Sequence, residues 1–162
     1  MSAIKIHSEL IKPSVLVEIA LAPFKPQFAE KNIQIDISIP YTLPQVSCDV
    51  AKTAWVLTIF FSNAIRYTPA WGKLTIRAER VKTMLRISVE NSGYGVPLER
   101  LQGMFEKPQN FDAPEYGKGL ALLLAREILE AQQGTIGATS ELGTLTRFYL
   151  QIPLTEMSEV NP

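Results

Sequence analysis

Four segments of this chain alternate between apolar and polar residues, and this alternation constrains the fold more than any other feature. Apolar side chains occupy every second position in residues 33–39, 74–79, 85–90 and 147–152, the last of these within a predicted strand at residues 145–152. Because successive side chains of a strand point to opposite faces, each segment is predicted to be a strand with one buried face. Residues 74–79 and 85–90 are predicted to form a hairpin. Other elements must therefore cover one face of a sheet.

Helical periodicity predicts the covering layer. From Asp49 to Pro69, apolar residues recur at steps of three and four, so this segment is predicted to be an amphipathic helix. Asp49 is the expected N-cap, and Pro69 ends the helix. An earlier helix is predicted to begin at Pro13, to be kinked or split by two further prolines, and to end at Asn32.

A last helix is predicted to follow Gly117-Lys118-Gly119. Leu120, Leu124 and Ile128 mark its expected buried row, and Gly134 is its expected C-cap glycine. Helices and strands do not alternate singly along the chain, which disfavours a doubly wound sheet. The sequence therefore predicts an α+β protein, a two-layer α/β sandwich in which helices cover one face of a mixed, mostly antiparallel sheet.

Length and composition limit the classes of protein that remain. The 162 residues are enough for one domain with a substantial core, predicted to span residues 13–153 between a linker (1–12) and a disordered tail (154–162). Sixteen basic residues balance sixteen acidic ones, so no overall charge favours nucleic acid or a membrane surface. A single cysteine, Cys48, excludes an internal disulfide and a cysteine-cluster metal site. No apolar run reaches the ~18 residues of a membrane span, and the chain is expected to be cytoplasmic.

Polar residues late in the Asp49 helix suggest a binding site. Asn63, Arg66 and Tyr67 follow each other at i, i+3 and i+4, which places them on one helix face. An asparagine inside a helix is mildly unfavourable, because its side chain competes for backbone hydrogen bonds. Asn63 therefore needs a partner, either the backbone or a ligand.

Two glycine-containing turns add to this suggestion. Asn91 continues the inward series of its strand, so an amide ends the core face immediately before Gly93 and Gly95. This arrangement fits either a tight turn or an amide that binds a ligand base. Gly117-Lys118-Gly119 precedes a helix, whose free N–H groups favour a phosphate, although such glycines also occur as simple helix punctuation.

Taken together and in order, these motifs resemble those of the ATP-binding catalytic domain of bacterial sensor histidine kinases. Ser62 to Pro69 resembles the N box of that family, Asn91 to Pro97 the G1 box, and Met104-Phe105-Glu106 the F box. Gly117 to Leu122 resembles the G2 box, and Glu141 to Phe148 the final glycine-containing segment. The family belongs to a wider ATPase group that includes DNA gyrase, heat-shock chaperone and mismatch-repair ATPases. The resemblance implies the two-layer sandwich known as the Bergerat fold.

The resemblance also implies roles for individual residues. Asn63 would hold Mg²⁺ against the triphosphate of ATP, with Arg66 near phosphate and Tyr67 against the adenine. Asn91 would read the adenine amino group. The remaining residues that the resemblance implies for nucleotide binding, including the lid anchor Phe105, are Gly93, Gly95, Phe105, Gly117, Lys118, Gly119, Leu120 and Thr144. The segment from residue 98 to residue 116 is predicted to be a mobile lid.

Four positions depart from the pattern of the family. Ile59 stands one turn before Asn63, where the family usually has a second asparagine, and an alkyl side chain cannot bind a hard cation. Asn91 stands where the family most often has aspartate. Ala121 and Leu145 each replace a glycine. These departures leave open a degenerate scaffold that binds signalling partners without catalysis.

The function that the sequence predicts is therefore the ATP-binding part of a two-component sensor kinase. Its expected partners are ATP, a histidine phosphoacceptor and dimerisation domain, and a response regulator; nucleic acid is not among them. We expect this domain to be a monomer and its parent protein to be a homodimer. A membrane-bound parent with this domain in the cytoplasm is left open. His7, the only histidine, is predicted to be incidental, so the phosphoacceptor lies elsewhere. An anti-sigma-type serine kinase with the same fold is a further alternative.

Overall fold

The computed structural model describes residues 4–93, 95, 98–105 and 116–154. Its main element is a five-stranded sheet with the strand order β2-β4-β5-β7-β6. These strands are β2 (Gln34–Ser38), β4 (Lys73–Val81), β5 (Met84–Ser92), β6 (Thr135–Glu141) and β7 (Leu145–Pro153). Strand β2 runs parallel to β4, and the other three pairs are antiparallel. The predicted mixed, mostly antiparallel sheet is confirmed.

Helices pack on the apolar face of this sheet and complete the predicted α+β architecture. They are α1 (Pro13–Leu21), α2 (Lys25–Glu30), α3 (Val50–Tyr67), α4 (Leu98–Gly103) and α5 (Tyr116–Glu130). The central helix α3 contacts both α1 and α5. Its Phe60 ring stacks on Phe148 of β7 with 5.5 Å between ring centroids, which joins the two layers. The helices and the apolar face of the sheet share one core.

The first helical segment is divided as its prolines predict. Helix α1 begins at Pro13, a 3₁₀ turn spans Ala22–Phe24, and α2 ends in a Schellman motif with Asn32 in the left-handed region at φ 56°. In that motif the N–H of Ile33 donates to the Phe28 carbonyl and that of Asn32 to the Ala29 carbonyl.

Two predictions for α5 need correction. Ile128 is buried as expected, together with Leu122, Ala125 and Leu129, but Leu120 and Leu124 of the predicted row are 39% and 41% exposed. The run of leucines made several registers equally apolar, and only packing against α3 selects one of them. At the C-terminus, Gln133 rather than Gly134 takes the left-handed conformation, at φ 59°. The N–H of Gly134 closes the Schellman motif by donating to the Leu129 carbonyl.

Strand β2 is less buried than its alternation suggests. Ile33 is buried and Ile35 half-buried, but Ile37 is 49% exposed. Strand β2 lies at the edge of the sheet, so the helical layer covers only part of its apolar face.

Parts of the predicted linker and of the predicted tail belong to the fold. Strand β1 (Glu9–Ile11) lies within the predicted linker and pairs with β3 (Val46–Cys48) in a separate two-stranded antiparallel sheet. Leu154, the first residue of the predicted tail, is buried, and its N–H donates to the Thr83 carbonyl at 2.8 Å. Residues 155–162 lie outside the described residues. Over the described ranges, no helix is long and apolar enough to cross a membrane.

A buried hydrogen-bond network holds the start of α3. Asp49 is the predicted N-cap: its Oδ1 accepts from the Lys52 N–H at 3.0 Å, and its Oδ2 accepts from the His7 N–H at 3.0 Å. Gln132, just beyond α5, accepts the Asp49 N–H at 2.8 Å and donates to the Thr53 hydroxyl at 3.1 Å. Burial alone would raise the pKa of Asp49, but these N–H groups and the Lys52 ammonium outweigh it and lower the pKa.

This network predicts a pH-dependent contribution to stability. Because the folded-state pKa of Asp49 is lower than its unfolded value of about 3.9, the carboxylate stabilises the fold above that pH, and this contribution is lost as the pH falls through the folded pKa. Asp49→Asn is expected to lower the free energy of unfolding by about 1 kcal/mol at pH 7, and the difference from the wild type should shrink below about pH 4. Urea unfolding from pH 7 to pH 3 measures both quantities.

Asp36→Asn is the matched control, because Asp36 forms an exposed ion pair with Lys73 at 3.0 Å. Its effect should be smaller at every pH. An Asp49→Asn protein with the same stability and pH dependence as the wild type would contradict the role of the network.

Candidate functional site

The end of helix α3 carries the first group of predicted site residues. Asn63 and Tyr67 are half-buried, Arg66 is exposed, and the Arg66 guanidinium carbon lies 5.9 Å from the centroid of the Tyr67 ring. The amphipathic pattern of α3 causes this arrangement, because Phe60, Phe61 and Ala64 turn into the core and leave the polar side chains at its margin. Asn63, Arg66 and Tyr67 therefore lie on one face of α3, at the edge of the helical layer.

Lys31 fixes this end of α3 and was not predicted from the sequence. Its ammonium donates to the carbonyl of Ile65 at 2.7 Å and to that of Thr68 at 2.5 Å. A cation at a helix C-terminus satisfies orphan carbonyls and is favoured by the helix dipole. The Lys31 carbonyl also accepts the N–H of Trp71 at 2.9 Å. No local pattern links Lys31 to residues so far along the chain.

The end of strand β5 places Asn91 in the core layer, as its phase in the strand predicts. Asn91 is 4% exposed, and its Nδ2 donates to the Ser92 carbonyl at 3.1 Å. Directly opposite it on β7 lies Thr146, which is 3% exposed and within 3.4 Å of the Ser140 hydroxyl. Thr146 was missed, although the same phase argument would have found it, because it continues the inward series Phe148, Leu150 and Ile152. Two buried polar side chains thus end neighbouring strands side by side.

Gly93 connects this pair to the end of α3. A Cβ atom on Gly93 would lie 3.0 Å from the Tyr67 carbonyl oxygen and 3.7 Å from Asn91 Nδ2. The Gly93 N–H donates to the Thr144 carbonyl at 3.1 Å. Thr144 itself is exposed and meets the site through its backbone, so Thr146 is the buried threonine of this segment.

Gly95 requires glycine for two reasons. Its φ is +79°, in the left-handed region, and a Cβ there would lie 2.6 Å from the Glu141 carbonyl oxygen. The backbone at Gly95 therefore lies close to the end of β6.

The remaining predicted residues lie just after α4 and at the start of α5. Gly117, Lys118 and Gly119 belong to the first turn of α5 rather than preceding it, and Leu120 is 39% exposed. The first N–H groups of a helix have no partner within the helix, and such groups can bind an anion. The Phe105 ring lies 6.4 Å from that of Phe148, edge to face, so it packs on the core. Of the predicted lid, residues 106–115 lie outside the described residues.

Protein ligands for a metal are few in this part of the molecule. Among the residues that the structure describes, no group of three or more histidine, cysteine, aspartate and glutamate side chains converges on one point. Ile59, one turn before Asn63, is half-buried and packs against the core. Asn63 is thus the single predicted metal ligand at this end of α3, and a cation here would need most of its ligands from elsewhere.

Solved structures of histidine kinases share this architecture. The nucleotide-free catalytic domain of the histidine kinase ThkA is 25% identical, with a TM-score of 0.77 over 95% of this chain and 99% of that domain. Full-length ShkA in complex with AMPPNP is also 25% identical, with a TM-score of 0.82 over 95% of this chain and 32% of ShkA. A complex of ThkA with the response regulator protein TrrA matches at 24% identity and a TM-score of 0.77, over 94% of this chain and 43% of ThkA, which shows the fold alone.

Sequence comparisons agree with the structural ones. The adaptive-response sensory kinase SasA of Synechocystis sp. is 30% identical over 94% of this chain, and the chain spans only 41% of the length of that kinase. Residues 48–156 match the model of the histidine kinase-, DNA gyrase B- and HSP90-like ATPase family. This match covers more than half of the chain, including α3, the Asn91 turn and α5. The chain therefore belongs to the family of histidine kinase-, DNA gyrase B- and HSP90-like ATPases.

Proposed function

We propose that this chain is the ATP-binding catalytic domain of a sensor histidine kinase in two-component signal transduction. The observation that carries the proposal is the buried Asn91 amide, which ends a core strand beside Gly93 and the Tyr67 carbonyl. A buried amide at the margin of an otherwise apolar layer is suited to a planar ligand with its own donors and acceptors, as adenine is. The similar kinase ShkA is known in complex with AMPPNP, an ATP analogue.

The two ends of the site suit the two ends of ATP. Asn91 and Thr146 would recognise the base, and Tyr67 would lie against it. The free N–H groups at the start of α5 would receive the phosphates, with Arg66 and Lys118 as supporting cations.

Asn63 would provide the protein contact of a nucleotide-bound Mg²⁺. Mg²⁺ is typically held by one or two protein groups together with phosphates and water, so a single amide oxygen fits that coordination. When bound, Mg²⁺ neutralises the charge that develops on the transferred phosphoryl group. In this scheme Ile59 is a tolerated variation.

The chain would position ATP for attack by a histidine on a separate dimerisation and phosphoacceptor domain. Phosphoryl transfer depends mostly on positioning and on electrostatic stabilisation, which explains why this domain needs no nucleophile of its own. A response regulator would then receive the phosphoryl group. In this proposal the parent protein is a homodimer, the domain works in the cytoplasm, and residues 13–153 form the functional unit.

The second candidate is a degenerate scaffold that binds signalling partners without catalysis. The observation that favours it is the half-buried Ile59, which packs on the core. At this position the family usually has an asparagine that could bind the metal, and an isoleucine cannot. The two candidates differ in how nucleotide affinity depends on Mg²⁺.

Nucleotide binding provides the first test of the proposal. Asn91→Leu removes the amide and is expected to weaken ATP binding at least tenfold, because a hydrogen bond to a buried group is lost. Isothermal titration calorimetry with ATP measures the change. Ser88→Ala is the matched control: Ser88 is equally buried on the same strand but points to the opposite sheet face. Equal ATP affinities of the wild type and Asn91→Leu would contradict the assignment.

The Mg²⁺ dependence separates the two candidates. If the site is intact, ATP affinity of the wild type falls when Mg²⁺ is omitted, and Ile59→Asn changes the Mg²⁺-dependent affinity by less than about threefold. Ser62→Asn, at an exposed position next to Asn63, controls for the added amide. A large gain in Mg²⁺-dependent affinity in Ile59→Asn alone would instead favour the degenerate scaffold.

Phosphoryl transfer tests the reaction itself. With radiolabelled ATP, the isolated chain is expected to remain unlabelled, and the phosphoacceptor domain of its parent protein should become labelled when the chain is added. The label should be lost in acid, because a phosphorus–nitrogen bond hydrolyses there. His7→Gln should transfer label as the wild type does. Acid-stable label on the acceptor would favour the alternative serine kinase, and label on His7 would place the phosphoacceptor within this chain.

A further inference from the structure

Thr68, the residue after helix α3, carries a buried hydroxyl group without a hydrogen-bond partner. Thr68 is 1% exposed, and within the described part of the chain its Oγ1 is the buried side-chain polar atom that forms no hydrogen bond. Its backbone is fully used, because its N–H donates to the Ala64 carbonyl and its carbonyl accepts from Lys31. An unsatisfied buried hydroxyl is costly, so its retention needs an explanation.

The surroundings of Thr68 connect it to the proposed nucleotide site. A Cβ placed on Gly72 would lie 2.7 Å from the Thr68 methyl and 2.9 Å from the Ser92 hydroxyl, so both side chains lie against Gly72. Ser92 lies between Asn91 and Gly93, and its carbonyl accepts the Asn91 amide. Tyr67 directly precedes Thr68, and its carbonyl oxygen would lie 3.0 Å from a Cβ atom on Gly93. Thr68 therefore lies where the end of α3 meets the end of β5.

The hydrogen bonds in this junction can be exchanged. The Ser92 hydroxyl accepts the Lys73 N–H at 2.9 Å and retains its own proton to donate. The Asn91 amide donates to the Ser92 carbonyl, and a ligand that binds this amide would break that hydrogen bond. The Ser92 hydroxyl, which lies against Gly72 as the Thr68 side chain does, therefore has a proton that a rearranged junction could offer to Thr68.

We propose that Thr68 is a positioning residue of the nucleotide site, whose hydroxyl acquires its partner only when an adenine nucleotide is bound. The free protein then contains an unsatisfied group, and nucleotide binding relieves it through Ser92 or through a water molecule held by the nucleotide. Removal of the hydroxyl would stabilise the free protein and weaken nucleotide binding, two effects of opposite sign. This inference rests on the proposed function.

Thr68→Val tests the inference, because it replaces the hydroxyl with a methyl group of similar size. The expected result is a thermal midpoint equal to or higher than that of the wild type and an ATP affinity about fivefold to tenfold lower. Thr68→Ser keeps the hydroxyl and should retain the wild-type affinity. Thr53→Val, near the start of α3, is the matched control: the buried Thr53 hydroxyl accepts from Gln132, so its loss should lower the thermal midpoint without changing ATP affinity.

The outcomes distinguish this inference from the function on which it rests. If the wild type binds ATP and Thr68→Val binds it equally well, the inference fails and the proposed function stands. A lower thermal midpoint or loss of folding in Thr68→Val would also overturn it, because the hydroxyl would then be satisfied in the free protein. If the wild type binds no ATP at millimolar concentration, the proposed function fails and the inference fails with it.

Discussion

Helix α3 is held at both ends by side chains from distant parts of the chain, and the rest of the structure depends on this. At its N-terminus, Asp49 caps the first turn, and Gln132 brings the end of α5 to the same point. At its C-terminus, Lys31 binds two carbonyls that the helix leaves free. Each bond satisfies a buried backbone group that would otherwise destabilise the fold. Three predicted site residues, Asn63, Arg66 and Tyr67, lie at the C-terminal end of α3. The hydrogen bonds from Lys31 oppose fraying of the helix there.

The site itself forms at the edge between two layers with different periodicities. A helix repeats every 3.6 residues and a strand every two, so a polar residue reaches their shared margin only where each pattern ends. Tyr67 lies at the end of α3, and Asn91 and Thr146 lie on adjacent strands at one end of the sheet. Gly93 and Gly95 allow the backbone at these two positions to approach α3 and β6 closely. Polar side chains thus gather at this margin without disturbing the apolar core.

Sequence reasoning was most successful where the pattern was local and weakest where several solutions were equally apolar. The phase of β5 correctly placed Asn91 in the core layer, and Asp49 was correctly identified as the N-cap of α3. In the predicted row of α5 only Ile128 is buried; Leu120 and Leu124 were wrong, because the leucine-rich helix has several apolar faces and packing against α3 decided among them. Thr144 was predicted as a site residue and Thr146 was missed, although the alternation of β7 already indicated that residue 146 points inward.

The sequence by itself determined the strands of the main sheet, the helices α1, α3 and α5, the order of the motifs and the family to which the chain belongs, because these depend on periodicity, caps and short-range spacing. It did not predict β1, β3 or α4. The tertiary structure decided which residues meet. Lys31 at the end of α3, Gln132 at its start, and Thr146 opposite Asn91 are contacts between residues far apart in the chain. Such contacts arise when buried polar groups must find partners after the layers have packed. No local pattern specifies them.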